Sequence, residues 1–373
     1  MPHPYHLADG AGLFTPALVF YPALIRRNIA RVVELAGGPA HLRPHVKTHK
    51  TAEIVRLQLA AGVTKHKCAT IAEAELLASA GVPDVLVAYP LVGPNPTRLA
   101  ALARMYPATH FAALVDCRPT AEVLSTAAAA GGVTLGFFVD LDAGMGRTGL
   151  PAGDAAADLY EYAANLPHLS ADGLHAYDGH NTHPDAADRA AGVEGALGPV
   201  LALRAELQRR GHAVARLVAG GTPAFPQYAA RRDIPGLECS PGTYVLSDHG
   251  YGTRFPDLTG VTPAAVLLTR VVSRPQPDRV TFDLGTKAVA ADAPLAARVH
   301  LLAASPHTVV MHSEEHLVIE TPDAARYTPG DLAYALPGHV CPTVALHEYA
   351  LVAEGGLVVD KWLVAARRRE LTL

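Results

Sequence analysis

His41-Leu42-Arg43-Pro44-His45-Val46-Lys47-Thr48-His49-Lys50 is the stretch that decides how this chain is read. Apolar and polar residues alternate up to Lys47, the pattern of a strand with one buried face. A helix-like segment follows over residues 51–62. In an α/β barrel the C-terminal ends of the strands face the active site. A lysine there, partly desolvated and beside other cationic groups, has a lowered pKa and can attack a carbonyl carbon. The same ten residues also suit a solvated basic turn, so the flanking chain has to discriminate.

Outward from this stretch, strand-like and helix-like segments alternate. Strands are expected at 15–21, 41–47, 65–70, 84–89, 111–116, 134–142, 169–177, 214–219 and 237–244. Helices are expected at 28–37, 51–62, 71–81, 96–105, 119–130, 155–165 and 185–211. Such alternation implies a parallel sheet with crossover helices. The number of units favours a closed α/β (β/α)8 TIM-type barrel, although an open doubly wound sheet shares the pattern. Near Tyr251 the pattern changes. Short β-like runs at 262–273, 279–284, 298–302, 307–311, 316–320, 331–336 and 357–363 are punctuated by Gly, Pro and Asp. We therefore expect a barrel domain over 1–255 and an all-β domain over 256–373, with the first dozen residues fitting either.

Half of the 373 residues are hydrophobic, enough for a large core. A formal net charge of -4 argues against nucleic acid or an anionic membrane as partner. Cys68, Cys117, Cys239 and Cys341 are scattered without a CxxC pair, which suits a reducing compartment. Met1-Pro2-His3-Pro4 lacks the start of a secretory signal, and no apolar run reaches the roughly 18 residues of a membrane span. The expectation is a cytoplasmic enzyme acting on a small molecule.

Four further segments carry chemistry. Asp140-Leu141-Asp142-Ala143-Gly144-Met145-Gly146-Arg147-Thr148-Gly149 lies at an expected strand end. Its glycines allow close backbone approach and Arg147 adds a fixed cation; an ordinary Gly-rich loop explains it too. Gly220-Gly221-Thr222 and Ser240-Pro241-Gly242-Thr243-Tyr244 each follow an apolar strand late in the barrel. Exposed backbone N–H groups and hydroxyls there would cradle a phosphate, and tight turns are the plainer alternative. His175, Tyr177, His180 and His183 cluster in one loop region and equally suit ordinary loop positions. His339-Val340-Cys341 puts an imidazole and a thiol two residues apart, on one face if the segment is a strand. A buried cysteine beside a loop histidine is the bland alternative, and His347 is open to either reading.

Together, Pro44-His45-Val46-Lys47-Thr48-His49-Lys50 and these segments resemble the D-threonine aldolase and D-serine dehydratase family, fold-type III enzymes of pyridoxal 5'-phosphate (PLP) with an alanine-racemase-like barrel. The resemblance runs from about Thr15 to the C-terminus. It implies a barrel followed by a β domain, and a homodimer. It implies that Lys47 holds PLP as a Schiff base, and that Arg147 contacts the phenolic oxygen. Gly220, Gly221, Thr222, Gly242, Thr243 and Tyr244 match the family's phosphate site. Tyr177 and His183 fall where the aldolases carry a site tyrosine and the base that deprotonates the substrate's β-hydroxyl. His339 and Cys341 match its metal pair. The thiolate favours zinc, whereas the Asp found in some aldolases favours manganese or magnesium. Asp283 and Glu315 match β-domain motifs without an assigned role.

The favoured activity is PLP- and divalent-metal-dependent retro-aldol cleavage of D-configured β-hydroxy-amino acids, D-threonine giving glycine and acetaldehyde. Dehydration of D-serine or D-3-hydroxyaspartate to a keto acid and ammonia is the alternative, favoured by Cys341 as Tyr177 and His183 favour the aldolase. A racemase, a non-catalytic PLP carrier and a barrel binding module with structural zinc are weaker readings.

Overall fold

The computed structural model describes residues 4–302 and 306–372. The chain divides into two compact units. One takes residues 32–47, 55–242 and 368–373, the other residues 1–31, 48–54 and 243–367. The first strand, β1 (Ala17–Phe20), belongs to the second unit.

The first unit is the barrel. Its parallel strands are β2 (Lys65–Cys68), β3 (Asp84–Pro90), β4 (His110–Val115), β5 (Leu135–Leu141), β6 (Leu169–Ala176), β7 (Arg216–Ala219) and β8 (Leu237–Cys239), paired in that order. All seven residues of β5 are buried, as expected of a strand covered on both faces. Helices between the strands start where local chemistry supplies a cap. Thr70 Oγ1 accepts from Glu73 N at 3.2 Å to open Ile71–Ser79, and Asp185 Oδ1 accepts from Ala187 N at 2.8 Å to open Ala186–Arg209.

The expected strand at 41–47 occupies the eighth position, in broken form. Leu42 bridges to Cys239 of β8, and His45 bridges to Lys67 of β2. Arg43 N donates to Cys239 O and Lys67 N to Pro44 O, both at 2.8 Å. Pro44 has no N–H to give, so a continuous ladder cannot form. The chain then tightens into a 3-10 turn, Val46–Thr48, and Lys47 sits in that turn rather than in a strand. A buried ionic network ties the same seam. Arg43 bonds Glu238 at 2.6 Å and Asp84 at 2.8 Å; Lys65 bonds Glu238, and Arg216 bonds Asp84 and Asp172, each at 2.6 Å.

The second unit is built on a mixed sheet. To β1 it adds β9 (Ala265–Gln276), β10 (Arg279–Phe282), β11 (Val299–Leu301), β12 (Thr308–His312), β13 (Leu317–Glu320), β14 (Leu332–Pro337), β15 (Tyr349–Glu354) and β16 (Leu357–Leu363). The order is β12-β13-β10-β9-β1-β15-β16, with β14 pairing β9 and β11. Strand β1 runs antiparallel to β9, Val19 opposite Val266, and parallel to β15. Tyr5, Leu7, Val19, Val266, Leu268, Leu336 and Leu351 share one core.

Two expectations change here. The segment 15–21 is a strand in this sheet and not a member of the barrel, because its partners are remote in sequence. The C-terminal region is mostly rather than wholly β. Short helices His249–Arg254 and Val340–Leu346 interrupt it, and β15 was not anticipated as a strand. Residues 1–3, within the N-terminal dozen left open by the sequence, lie outside the described residues.

Candidate active site

A cavity of about 350 Å3 opens in the barrel unit, lined by Lys47 and His45, by Lys67 of β2, Arg147 of the loop after β5, His175 of β6 and Tyr177 just beyond it. The Tyr177 ring is its centre. Lys47 Nζ lies 5.9 Å, Lys67 Nζ 5.5 Å and Arg147 Cζ 5.1 Å from the ring centroid. Cations at such distances are attracted to the ring's negative face. The sequence reading brought Lys47, Arg147 and Tyr177 to one site, and the fold does place these three together.

Arg147 is positioned by its loop. Asp142 Oδ1 accepts from Gly144 N at 2.9 Å and from Gly146 N at 3.0 Å. Gly149 has φ +86, and a Cβ there would lie 2.8 Å from the Leu141 carbonyl carbon, so only glycine lets the loop fold back on β5.

Lys67, His175 and Asp140 form a buried chain that sequence reasoning missed. Lys67 Nζ is 3.3 Å from His175 Nε2, and His175 Nδ1 is 2.7 Å from Asp140 Oδ1. These partners assign the tautomer: Nδ1–H donates to the carboxylate, and Nε2 accepts from the lysine. Burial, then the nearby Lys47, push the Lys67 ammonium down to about 7. Burial and the Lys67 charge likewise lower His175. Burial alone would raise the Asp140 carboxyl; bonds from His175 and Thr148 bring it below its usual value. The sequence reading takes residues 65–70 as a strand, and nothing local marks Lys67 as its inward-facing residue.

The expected phosphate cradle is partly assembled within the barrel unit. Gly220 has φ +74, and a Cβ on Gly221 would sit 2.9 Å from Tyr177 Cε2. Gly242 N donates to Thr222 Oγ1 at 3.0 Å, bringing the two glycine segments together. Ser240 Oγ is buried beside them with no partner among the described residues. Thr243 and Tyr244 are buried in a 3-10 turn of the other unit. An orphaned hydroxyl, glycines that a side chain would obstruct and a cation-rich cavity fit a phosphorylated, anionic cofactor such as PLP.

His183 is not in the cavity lining. Its side chain is 57% exposed, its Nδ1 lies 3.1 Å from Asp188 Oδ2, and the same nitrogen accepts from Asp185 N at 3.3 Å. His180 also lies outside the lining.

His339 and Cys341 do not lie on a strand. Strand β14 ends at Pro337; His339 is the residue before helix Val340–Leu346, and Cys341 and Pro342 are in its first turn. Proline is tolerated there because first-turn N–H groups have no helical acceptor. The pair still meets. A hydrogen bond to Cys341, and then Asp292 at 2.5 Å from Nδ1, raise the His339 imidazolium to about 9. Cys341 Sγ is 3.3 Å from Thr48 Oγ1 and 3.6 Å from Thr243 Oγ1 in the same unit. Among the described residues no group of three or more His, Cys, Asp or Glu side chains is arranged to hold an ion, so an ion here would have two protein donors. A thiolate and an imidazole are donor types that zinc takes, in a smaller number than the three or four protein ligands of its usual sites. His347 Nε2 is committed to Ala288 O at 2.7 Å.

Comparison with known proteins places the chain. Residues 22–246 match the family model "Alanine racemase, N-terminal domain", and residues 264–353 match "Putative serine dehydratase domain". The chain is 30% identical to 3-hydroxy-D-aspartate aldolase of Paracoccus denitrificans (strain Pd 1222), over 96% of this chain and 93% of that protein. It is 29% identical to D-threonine aldolase of an Arthrobacter species, over 95% and 92%. The crystal structure of D-threonine aldolase from Filomicrobium marinum superposes with a TM-score of 0.89 at 27% identity, covering 100% of both chains.

Proposed function

The chain belongs to the alanine racemase N-terminal domain family, in the branch that carries a serine-dehydratase-type second domain and includes D-threonine aldolase, and from that membership we propose that it is a PLP-dependent carbon–carbon lyase cleaving D-β-hydroxy-amino acids by retro-aldol reaction. The observation that carries the proposal is Lys47, held in a cation-lined cavity beside a glycine cradle, in a chain similar to aldolases from end to end.

Lys47 would hold the cofactor covalently, Arg147 would face its anionic ring oxygen, and Gly220, Gly221, Thr222, Ser240, Gly242, Thr243 and Tyr244 would serve its phosphate. When bound, PLP supplies an electron sink for the pair released from the breaking Cα–Cβ bond. Tyr177 presents a flat face for a planar ring, and Ala69, Ala88 and Pro90 give the cavity apolar walls that limit water. His183, the base the sequence resemblance implies, stands outside the cavity lining against Asp188 and would have to turn inward to take the proton from the substrate's β-hydroxyl oxygen; the oxygen's electrons would form the new carbonyl, and Cα would regain a proton to leave glycine. His339 and Cys341 would hold a divalent ion, zinc favoured and manganese or magnesium the alternatives, to orient that hydroxyl. We also propose that the protein works as a homodimer, and in the cytoplasm; among the described residues no helix is long and apolar enough to cross a membrane.

The test begins with the purified protein and PLP. Borohydride reduction should fix the cofactor on Lys47, and Lys47→Ala should abolish both the label and turnover. D-threonine and D-3-hydroxyaspartate should yield glycine and an aldehyde. A keto acid and ammonia as the main products would instead make the protein a dehydratase. Chelator should stop cleavage and divalent metal restore it; turnover indifferent to chelator removes the role given to His339 and Cys341.

A further inference from the structure

Lys67 has no part in the function proposed above. It is one of three lysine and arginine side chains, with Lys47 and Arg147, in a cavity whose described lining contains no carboxylate. Lys47 would be taken by covalent attachment and Arg147 by the cofactor's ring oxygen. The side chain of Lys67 is buried, and among the described residues its hydrogen-bond partner is His175 Nε2, an uncharged acceptor. Asp140, a carboxylate whose charge reaches Lys67, is turned to His175 Nδ1 at 2.7 Å.

Burying an ammonium without a direct counter-ion is costly and makes the amine easier to neutralise, and an anion placed beside it favours the charged form again. The groups facing Lys67 are Lys47 and Arg43 from the closing segment, Asp140 from β5, Arg147 from the loop after it, and His175 and Tyr177 from β6 and its end. Cations outnumber anions among them, so the cavity lacks negative charge. An anion arriving beside Tyr177 would supply it, and would find the Lys67 N–H groups not taken by His175.

We propose that Lys67 is a binding residue for an anionic oxygen of the cavity's ligand, with His175 and Asp140 as positioning residues that aim its ammonium past the Tyr177 ring. The inference rests on the proposed function and extends it. Two anions of that site share the required chemistry: the ring oxygen of PLP, which Lys67 would hold jointly with Arg147, and a carboxylate of the amino acid.

The experiment compares wild type, Lys67→Met and Lys67→Arg. PLP is titrated into cofactor-depleted full-length protein, reading its dissociation constant and the absorbance band of the bound form. KM and kcat are then measured on D-threonine and D-3-hydroxyaspartate. A charge-assisted hydrogen bond lost to an isosteric apolar residue should weaken the affected ligand by about 10- to 100-fold. Weaker PLP binding with a shifted band in Lys67→Met identifies the ring oxygen. Unchanged PLP binding and band with a raised KM identifies the carboxylate, and a rise confined to D-3-hydroxyaspartate identifies the β-carboxylate. In either case Lys67→Arg should recover part of the loss. Wild-type PLP affinity, band, KM and kcat in Lys67→Met overturn the proposal. If Lys67→Met does not fold, Lys67→Gln is read by the same criteria. A wild-type protein that takes up no PLP on Lys47 instead overturns the function from which the inference starts.

Discussion

At the scale of single residues, the site depends on small atoms as much as on charged ones. Gly221 has room for no side chain, since a Cβ there would press within 2.9 Å of Tyr177 Cε2. Gly221→Ala should therefore displace the Tyr177 ring. We expect PLP affinity to fall at least about tenfold while the far-UV spectrum is retained, with absorbance titration as the measurement. Lys47, Arg147, Tyr177 and Gly221 were legible because each sits in a segment whose composition is unusual: a basic decapeptide, a triple-glycine loop, a histidine-rich turn, a glycine pair. Lys67 was not, and His175 stood out only as one member of that histidine-rich turn, with no role of its own. In β2 and β6 alternate side chains face opposite ways, and whether an isolated lysine or histidine faces inward depends on register with strands far away in sequence.

At the scale of elements, the closing segment of the barrel is where sequence pattern and structure part. Pro44 prevents a regular ladder, and side-chain ion pairs hold the seam that backbone bonds cannot fully hold. Arg43 is wholly buried between Glu238 and Asp84, so Arg43→Met would take one cation from each carboxylate, leaving Glu238 to Lys65 and Asp84 to Arg216. Leaving a buried charge uncompensated costs about 3–5 kcal/mol, and because Lys65 and Arg216 remain, urea unfolding of the variant should show a loss below that range. The seam also sets an acid limit. Burial alone would raise the Asp84 carboxyl, but hydrogen bonds and charge from Arg43 bring it below its ordinary 3.8. A carboxyl depressed on folding contributes stability above about 3.8 and loses it as the pH falls through the lower folded value. Stability of the wild type should fall in that acid window, and the fall should be shallower in Arg43→Met.

At the scale of the whole molecule, cofactor uptake and folding are linked. A ligand that binds only the native state adds about 2.7 kcal/mol at one hundred times its dissociation constant. Saturating PLP should accordingly raise the melting temperature of the wild type and leave that of Lys47→Ala nearly unchanged, as scanning calorimetry would show. Light scattering at micromolar concentration should give twice the chain mass; a monomer that remains fully active would remove the proposed dimer from the function.

What the sequence determined by itself was the class of fold and the chemical vocabulary: alternating segments that must bury both faces of a parallel sheet, a β-rich second half, and the lysine, arginine, tyrosine and glycine segments of the cavity proposed for PLP. These are local signals, written in periodicity and in residue types that only certain backbones tolerate. The tertiary structure alone decided that residues 17–20 pair with β9 and β15 rather than joining the barrel, and that His339 and Cys341 meet at a helix start. It also decided that His183 stands in solvent while Lys67 turns inward to His175. Each of those outcomes is set by a partner tens to hundreds of residues away, or by which face of an element is covered, and no local pattern encodes either.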